Sequence, residues 1–469
     1  MTVLDWIKKQ GYGAADEDWY KHIDTWQSWY RGNVKSFHNY SVYNGQTTLH
    51  CKRKSLNMAQ QVAADWAGLL LNEKVHINHA QAAAQDYLLD VLDKNDFWVR
   101  GNQCIEDAFW SGLAAVIPVP DGVVVRDERV VQTAGETLCY ATGRQIIPLT
   151  VKNRKCTECA FAFESADGDK QYTLLQMFTL ENGVYVCRNH LFDTSNGGCK
   201  EVENPRAVKG YEDLAAEWNT GSAEAPFVFI KPNGSNTLAP ESPFGMAVFA
   251  GAIDVLKGID TVYDAYVNEY ILGKTRVMVQ TAAAHDQDGK PTFDPSDIAF
   301  YVLPEDVTGE PYVKPIQPDI RAAQMTAGLA DNLNLLSLRC GFGERHYRFD
   351  AGGVATATQV ISENSAMFRT MKKHEIILDG ALKHLCRLIL LHGALYGGKA
   401  LDWQTPVTID FDDSIIEDKE TDINRYFRLT QAGAMGLAEL RAKVMGESLE
   451  EAEAMLPAPE PEEPPGLDE

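Results

Sequence analysis

The sequence predicts an elongated α+β subunit. Three observations carry that expectation. Long helical patterns fill most of the stretch from Ser242 to Gly397, and short extended runs fill residues 114 to 229. The chain then closes on AMLPAPEPEEPPGLDE, whose Pro/Glu composition cannot form a core.

The first fifty residues are rich in aromatics, including Trp6, Trp19, Tyr20, Trp26, Trp29, Tyr30, Phe37, Tyr40 and Tyr43. They are expected as short helices and an entry loop packed on the body. An amphipathic helix follows Ser55, with Ala59, Val62, Ala63, Trp66, Leu69 and Leu70 on one face. Two more helical patterns run from Gln81 to Phe97 and from Gly101 to Gly112. The pattern then changes to AAVIPV, GVVVRD, CAFAFES, QYTLLQMFTL, VYVCRNHLF and FVFI, several of them separated by turns such as Glu181-Asn182-Gly183. These runs predict an antiparallel meander.

A long helix is expected to open at Ser242-Pro243, an N-cap with proline behind it, and to stop at Gly273. Gly251 and Gly258 weaken it by up to about 1 kcal/mol each relative to alanine and open it to a break. An extended insert follows, RVMVQ and IAFYVLP. A second helix runs from about Pro318 to Cys340, and GFGERHYRFDAGG links it to a helical pattern of roughly 40 residues, about three times the mean length. Asp379-Gly380 is the expected kink in that helix. PVTIDF reads as a strand, and helical segments from about Thr421 to Leu456 precede the tail.

With 469 residues and 45% hydrophobic content the chain can bury a large core. Its formal charge of −23 argues against a protein that grips nucleic acid through a basic footprint. The N-terminus, MTVLDWIKKQGYGAADEDWY, has no apolar run behind a basic start, and LCRLILLHGAL is too short to span a bilayer. The expectation is a soluble protein made inside the cell, without a membrane partner. Nine cysteines point to a reduced compartment.

The chemical motifs mostly fail. Cys156-x-x-Cys159 with Cys187-x-x-His190 imitates zinc spacing, but both pairs lie in runs that read as strands, where residues three apart face opposite ways. Without a bulge neither pair chelates, so strand cysteines are the favoured reading. Gly273-Lys274-Thr275 ends a helix instead of opening one, so it reads as a C-cap and not a phosphate loop. His374-Glu375 lacks a second zincin ligand because Leu378 stands there, and Asp410, Asp412 and Asp413 lack the rest of a calcium loop. No catalytic residue, metal site or cofactor is expected.

Several blocks of the chain, in their order and extent, resemble one family. They are WYRGNVKSFHNY, KSLNMAQQVAADWAGLLLNEKV, NGVYVCRNHLF, SPFGMAVFAGAIDVLKGIDTVYDAY, GGVATATQVISENSAMFRTMKKHE and VTIDFDDSIIEDKETDINRYFRLTQAGAM. The resemblance is to the portal proteins of tailed bacteriophages, the head-to-tail connectors, in the branch found in long-tailed phages of Gram-positive hosts. It implies a ring of about twelve copies at one capsid vertex of the virion, assembled in the host cytoplasm, through which double-stranded DNA is packaged and ejected. Implied partners are the terminase large subunit, capsid and scaffolding proteins, and neck or adaptor proteins.

The same resemblance divides the chain into a wing (1–241), a stem helix (242–274), a clip (275–317) and a second stem helix (318–340). A tunnel loop (341–354), a long wing helix (355–405), a crown (406–456) and a disordered acidic tail (457–469) complete it. Arg276, Val277, Val279, Tyr301 and Val302 fall in the clip. Arg345, His346, Tyr347 and Arg348 fall in the tunnel loop, facing DNA. About twelve copies together carry roughly −280 formal charges, so an acid-lined channel repels phosphate and lets DNA slide; acids that only solubilise the outer surface are the other reading. The competing functions are a metal-dependent enzyme built on Cys156, Cys159, Cys187 and His190, and a different ring-forming scaffold.

Overall fold

The structure, a computed structural model, describes residues 2–13, 17–43, 45–72, 75–122, 124–126, 129–132, 135–195, 197–274, 276–280, 300–303, 313–316, 318–344, 346–347, 357–411, 419–445 and 449–456. It is α+β and divides into two units, Met1–Ala351 with Ala366–Phe411, and Gly352–Ser365 with Asp412–Glu469.

The first unit opens with α1 (Val3–Lys9), α2 (Glu17–Tyr30) and the single turn α3 (Lys35–His38). Thr2 starts α1 through a capping box, its hydroxyl accepting from the Asp5 N–H while the Asp5 carboxylate accepts from the Thr2 N–H. Trp19, Trp26 and Trp29 share one face of α2, and all three are buried. A ribbon of β1 (Asn39–Tyr43) and β2 (Thr48–Lys52) follows, where the sequence reading expected an entry loop. Its Asn44-Gly45 dipeptide is a hairpin signal which that reading passed over. Next come α4 (Met58–Leu70), β3 (His76–Asn78), α5 (Ala82–Lys94) and α6 (Phe97–Ser111).

The strand region holds β4 (Ala114–Asp121), β5 (Val124–Arg126), β6 (Arg129–Gln132), β7 (Gly135–Thr142), β8 (Ile146–Lys152) and β9 (Lys155–Asp167). It continues with β10 (Lys170–Glu181), β11 (Val184–Asp193), β12 (Lys200–Glu201), β13 (Glu217–Asn219) and β14 (Val228–Ile230). The large sheet is ordered β5-β6-β13-β11-β10-β9-β8 with β12 on β11, and β14-β4-β7 forms a second sheet. Strands β8 to β11 are the expected antiparallel meander. Asn153-Arg154 and Asn182-Gly183 turn two of its hairpins with positive φ at both positions. Alternation sorts the side chains: Cys159, Phe161, Phe178 and Cys187 enter the main core. Ala160, Leu175, Met177 and Phe192 enter a smaller one closed by Ile7 of α1.

The chain continues through α7 (Ile253–Leu272), β15 (Arg276–Gln280), β16 (Phe300–Leu303), β17 (Val313–Ile316), α8 (Ala322–Arg339), α9 (Ala357–Leu395) and β18 (Thr408–Asp410). Helix α9 is unbroken through Asp379-Gly380. Its apolar run, Leu385 to Leu391, is a core segment, and among the described residues no helix is long and apolar enough to cross a membrane. The second unit holds α10 (Lys419–Gln431), α11 (Leu437–Met445) and α12 (Leu449–Ala454). The tail from 457 onwards lies outside the described residues.

Two helix starts differ from expectation. Helix α8 begins at Ala322, not Pro318. Helix α7 begins at Ile253, after a 3-10 turn at Ala250–Ala252, and not at Ser242-Pro243. The Ser242 hydroxyl accepts from the Phe244 N–H two residues on, so it makes a local turn instead of a helix cap. Residues 244 to 249 lie against the end of α6. Gly245 N–H donates to Gly112 O at 3.0 Å, Val248 N–H donates to Phe109 O at 2.8 Å, and Phe244, Ala247 and Phe249 are buried. Tertiary hydrogen bonds and burial override the local helix signal here.

Candidate functional site

Helices α7 and α8 lie antiparallel and are clasped at both ends. At one end Arg321 donates from Nε and Nη2 to the two Glu269 oxygens at 3.0 and 3.1 Å, and this fork holds the Glu269 carboxyl below its usual range. At the other end Arg339 Nη2 donates to Gly251 O at 2.7 Å. Between them Gly258 lets the helices close: a Cβ there would stand 2.6 Å from Asn332 Oδ1. Gly258 is thus a packing residue and breaks nothing, contrary to the sequence reading. Gly273 caps α7, its N–H donating to Glu269 O at 2.8 Å, and no phosphate loop opens there.

From the Arg321–Glu269 end departs a three-stranded sheet, ordered β16-β15-β17, with β15 parallel to β16 and antiparallel to β17. It holds the predicted clip residues. Register places Met278 opposite Tyr301 and Val279 opposite Val302, with Arg276 and Val277 nearer the helix end. Val277 and Val279 share one face of β15, and of the two Val279 is fully buried and Val277 half-buried. Strand β17 was missed because Pro315 interrupts its pattern; β17 is an edge strand, where proline is tolerated.

Helix α7 also carries two buried aspartates that the sequence reading missed, and they fix the root of the β1–β2 ribbon. Asp260 accepts from His38 Nε2 at 3.0 Å, from the Ser55 hydroxyl at 2.9 Å and from the Leu56 N–H at 2.8 Å. Asp264 accepts from the Lys54 N–H at 3.1 Å and from Asn268 Nδ2 at 3.1 Å. The Val34 N–H donates to His38 Nδ1, which puts the ring proton on Nε2, aimed at Asp260. Two carboxylates at i, i+4 beside Leu256 and Ile259, on the apolar side of the pattern, were the available signal. Asp254 pairs with Lys257 at 2.9 Å. Most acids of α7 therefore make internal contacts, and this helix gives little support to an acid-lined channel.

The segment after α8 is anchored, not free, as far as the described residues run. Trp66 Nε1 donates to Cys340 O at 3.0 Å, and its ring stacks on Phe342, which stacks on His346 at 4.3 Å. The Tyr347 hydroxyl donates to Asp65 Oδ2 at 2.6 Å, and its N–H donates to the Ser337 hydroxyl. His346 and Tyr347, expected at the tip of a tunnel loop, are instead folded back on α4. Arg345 and Arg348 lie outside the described residues, as do Gly352 and Gly353.

Under this stack lies His374, edge-on to Trp66 and Phe109. Its Nδ1 accepts from the Asn233 N–H at 2.9 Å, so it is a core residue and no zincin ligand. Burial, helped by Lys373, lowers its pKa from 6.5 to about 4. A depressed histidine contributes stability that is full above its unfolded value of 6.5 and is lost as pH falls towards 4. Lowering the pH from 7 to 5 should cost about 2 kcal/mol through this group, read as a shift in urea midpoint. His374→Gln should flatten that part of the profile; an unchanged slope assigns the acid sensitivity elsewhere.

The cysteines make no metal centre. Strand β9 is bulged near Glu158, and Cys156 sits beside Cys159. Cys187 points into the main core two strands away, while His190 faces the other side, 4.6 Å from Trp6 and bonded to Glu201. Among the described residues no group of three His, Cys, Asp or Glu side chains is gathered for a metal. Asp410 accepts from Asn78 Nδ2, and Asp412 and Asp413 lie outside the described residues.

Residues 12–459 match a family model described as phage portal protein, SPP1 Gp6-like. No curated protein matches. Among solved structures, the chain is similar to one from the virion of a native gene transfer agent particle, with 12% identity, 93% of this chain and 96% of that chain covered, and a TM-score of 0.43. It is also similar to one from the neck of the native particle computed with C12 symmetry, with 12% identity, 83% and 88% covered, and a TM-score of 0.38.

Proposed function

Because the chain belongs to the SPP1 Gp6-like family of phage portal proteins, we propose that it builds the ring at one capsid vertex through which double-stranded DNA is packaged and ejected. The observation that carries this reading is the surface of the α7–α8 pair. Of its 20 residues α7 buries Leu256, Ile259, Asp260 and Asp264, and of its 18 residues α8 buries Leu329, Leu333, Leu336 and Ser337. Tyr270, Ile271, Leu272, Leu335 and Leu338 stand exposed. A helix pair with so much uncovered apolar surface calls for lateral partners, and neighbouring copies in a closed ring supply them.

In this reading residues 1–241 and 355–405 are the wing, 242–274 and 318–340 the stem, 275–317 the clip, and 406–456 the crown. The ring has about twelve copies. The small sheet at the Arg321–Glu269 end of the stem docks the terminase large subunit and later the neck proteins, while capsid and scaffolding proteins hold the wing. The subunit works as a conduit and hub, and carries out no catalysis. The tunnel loop, 341–354, contacts DNA through Arg345 and Arg348, two cations too few to grip it against an acidic background.

Negative-stain imaging of the purified protein should give open rings with a central channel; compact monomers would end this reading. Arg345→Ala with Arg348→Ala should preserve rings and alter DNA packaging or retention. A double variant that packages and holds a full genome at the normal rate removes the loop from DNA contact. One that cannot form rings assigns the arginines to the subunit interface.

A further inference from the structure

The β1–β2 ribbon is a second uncovered surface, of different composition. Among the described residues it pairs with no other strand. Its register puts Val42 opposite Leu49 and Tyr40 opposite Cys51 on one face, and Ser41 opposite His50, Asn39 opposite Lys52 and Tyr43 opposite Thr48 on the other. One face is thus apolar, and the other is polar apart from the exposed Tyr43 at its outer end. At the root Tyr40 is half-buried beneath the Arg53 guanidinium. Further out the apolar pair is open among the described residues, with Val42 45% and Leu49 47% exposed. A lone two-stranded ribbon is at best marginally stable in water, so an apolar face held out by two buried aspartates calls for a partner.

Charge says which partner. Residues 25–64 contain no Asp or Glu, although the chain has 66 of them, and carry Arg31, Lys35, Lys52, Arg53 and Lys54. Of these Arg31, Lys35, Lys52 and Lys54 are exposed. The ribbon and its flanks form a basic island on a chain of net charge −23. We propose that the apolar face of the ribbon docks on an acid-bearing surface of the neighbouring copy of this chain. This rests on the ring reading above. A ring is built from heterologous contacts, so every copy presents both the ribbon and a different surface that receives it. Phosphate backbone would satisfy the cations but offers nothing to Val42 and Leu49, whereas an acidic protein surface with apolar patches satisfies both.

The test uses the full-length protein with a benzophenone amino acid at position 49, irradiated with and without a DNA duplex. Wild-type oligomers are imaged first. Crosslinks between two copies, together with at least a ten-fold loss of rings in Val42→Asp/Leu49→Asp at an unchanged monomer melting temperature, are the expected result. Ser41→Asp, on the polar face, should leave the rings intact. Crosslinks to DNA in place of protein overturn the proposal in favour of a nucleic-acid contact. Rings that form normally without crosslinks, and tolerate both aspartates, overturn it while leaving the ring reading standing. A monomeric wild type overturns both.

Discussion

Gly112→Ala is expected to destabilise the protein by about 3 kcal/mol or more. Gly112 ends α6 at φ +84, a left-handed conformation that alone costs alanine about 1–2 kcal/mol. The new Cβ would also stand 2.5 Å from Gly245 O and 2.9 Å from its carbonyl carbon. Those are backbone atoms, tied in place by the Gly245 N–H bond to Gly112 O and the Val248 N–H bond to Phe109 O. Relief therefore means moving the whole segment that seats Phe244, Ala247 and Phe249 in the core. Gly258→Ala is the control. It meets a side-chain tip, Asn332 Oδ1 at 2.6 Å, and it gains up to about 1 kcal/mol of helix propensity. Urea midpoints should separate the two variants clearly. If they fall together, the segment 244–249 is more yielding than its hydrogen bonds indicate.

That same segment marks the limit of what could be read from the chain. Wherever a pattern is repeated along one element, it was legible: the alternating meander, the burial face of α4 and the long α9 all follow from local periodicity. The start of α7 was not, because Ser242-Pro243 is a sound local helix signal. It is overruled by Gly112, which is more than a hundred residues away and leaves room for a backbone. Strand β17 hid behind Pro315 for a similar reason, since only its edge position makes the proline acceptable. The site residues divide in the same way. The cations of the loop and the valines of the insert are visible as types, but their roles depend on contacts. His346 and Tyr347 looked like a loop tip until Trp66, Phe342 and Asp65 are seen to hold them. Asp260 and Asp264 looked like part of a general acidity, and the one clue against that was their place on the apolar side of the helix.

Asp260→Ala should release the β1–β2 ribbon and, with it, ring assembly. The carboxylate is 4% exposed and serves three donors: His38 Nε2, the Ser55 hydroxyl and the Leu56 N–H. Alanine leaves all three buried or half-buried without an acceptor, a loss on the order of 3–5 kcal/mol if nothing rearranges. Asp260→Asn keeps the volume and one acceptor oxygen but turns the other position into a donor facing His38 and Ser55, so its cost should be intermediate. The damage should stay local. Residues 34 to 57 are fastened to α7 through these bonds and the Lys54–Asp264 bond, and they reach the core under α2, α4 and α6 only through a few side chains such as Val34, Phe37 and Leu56. Hydrogen exchange should then accelerate in β1, β2 and Arg53 to Leu56, with α6 and α9 unchanged, and purified protein should shift from rings to monomers. Exchange that rises everywhere would mean Asp260 supports the whole unit. Rings that persist despite a fast-exchanging ribbon would show that its root need not be fixed for copies to join.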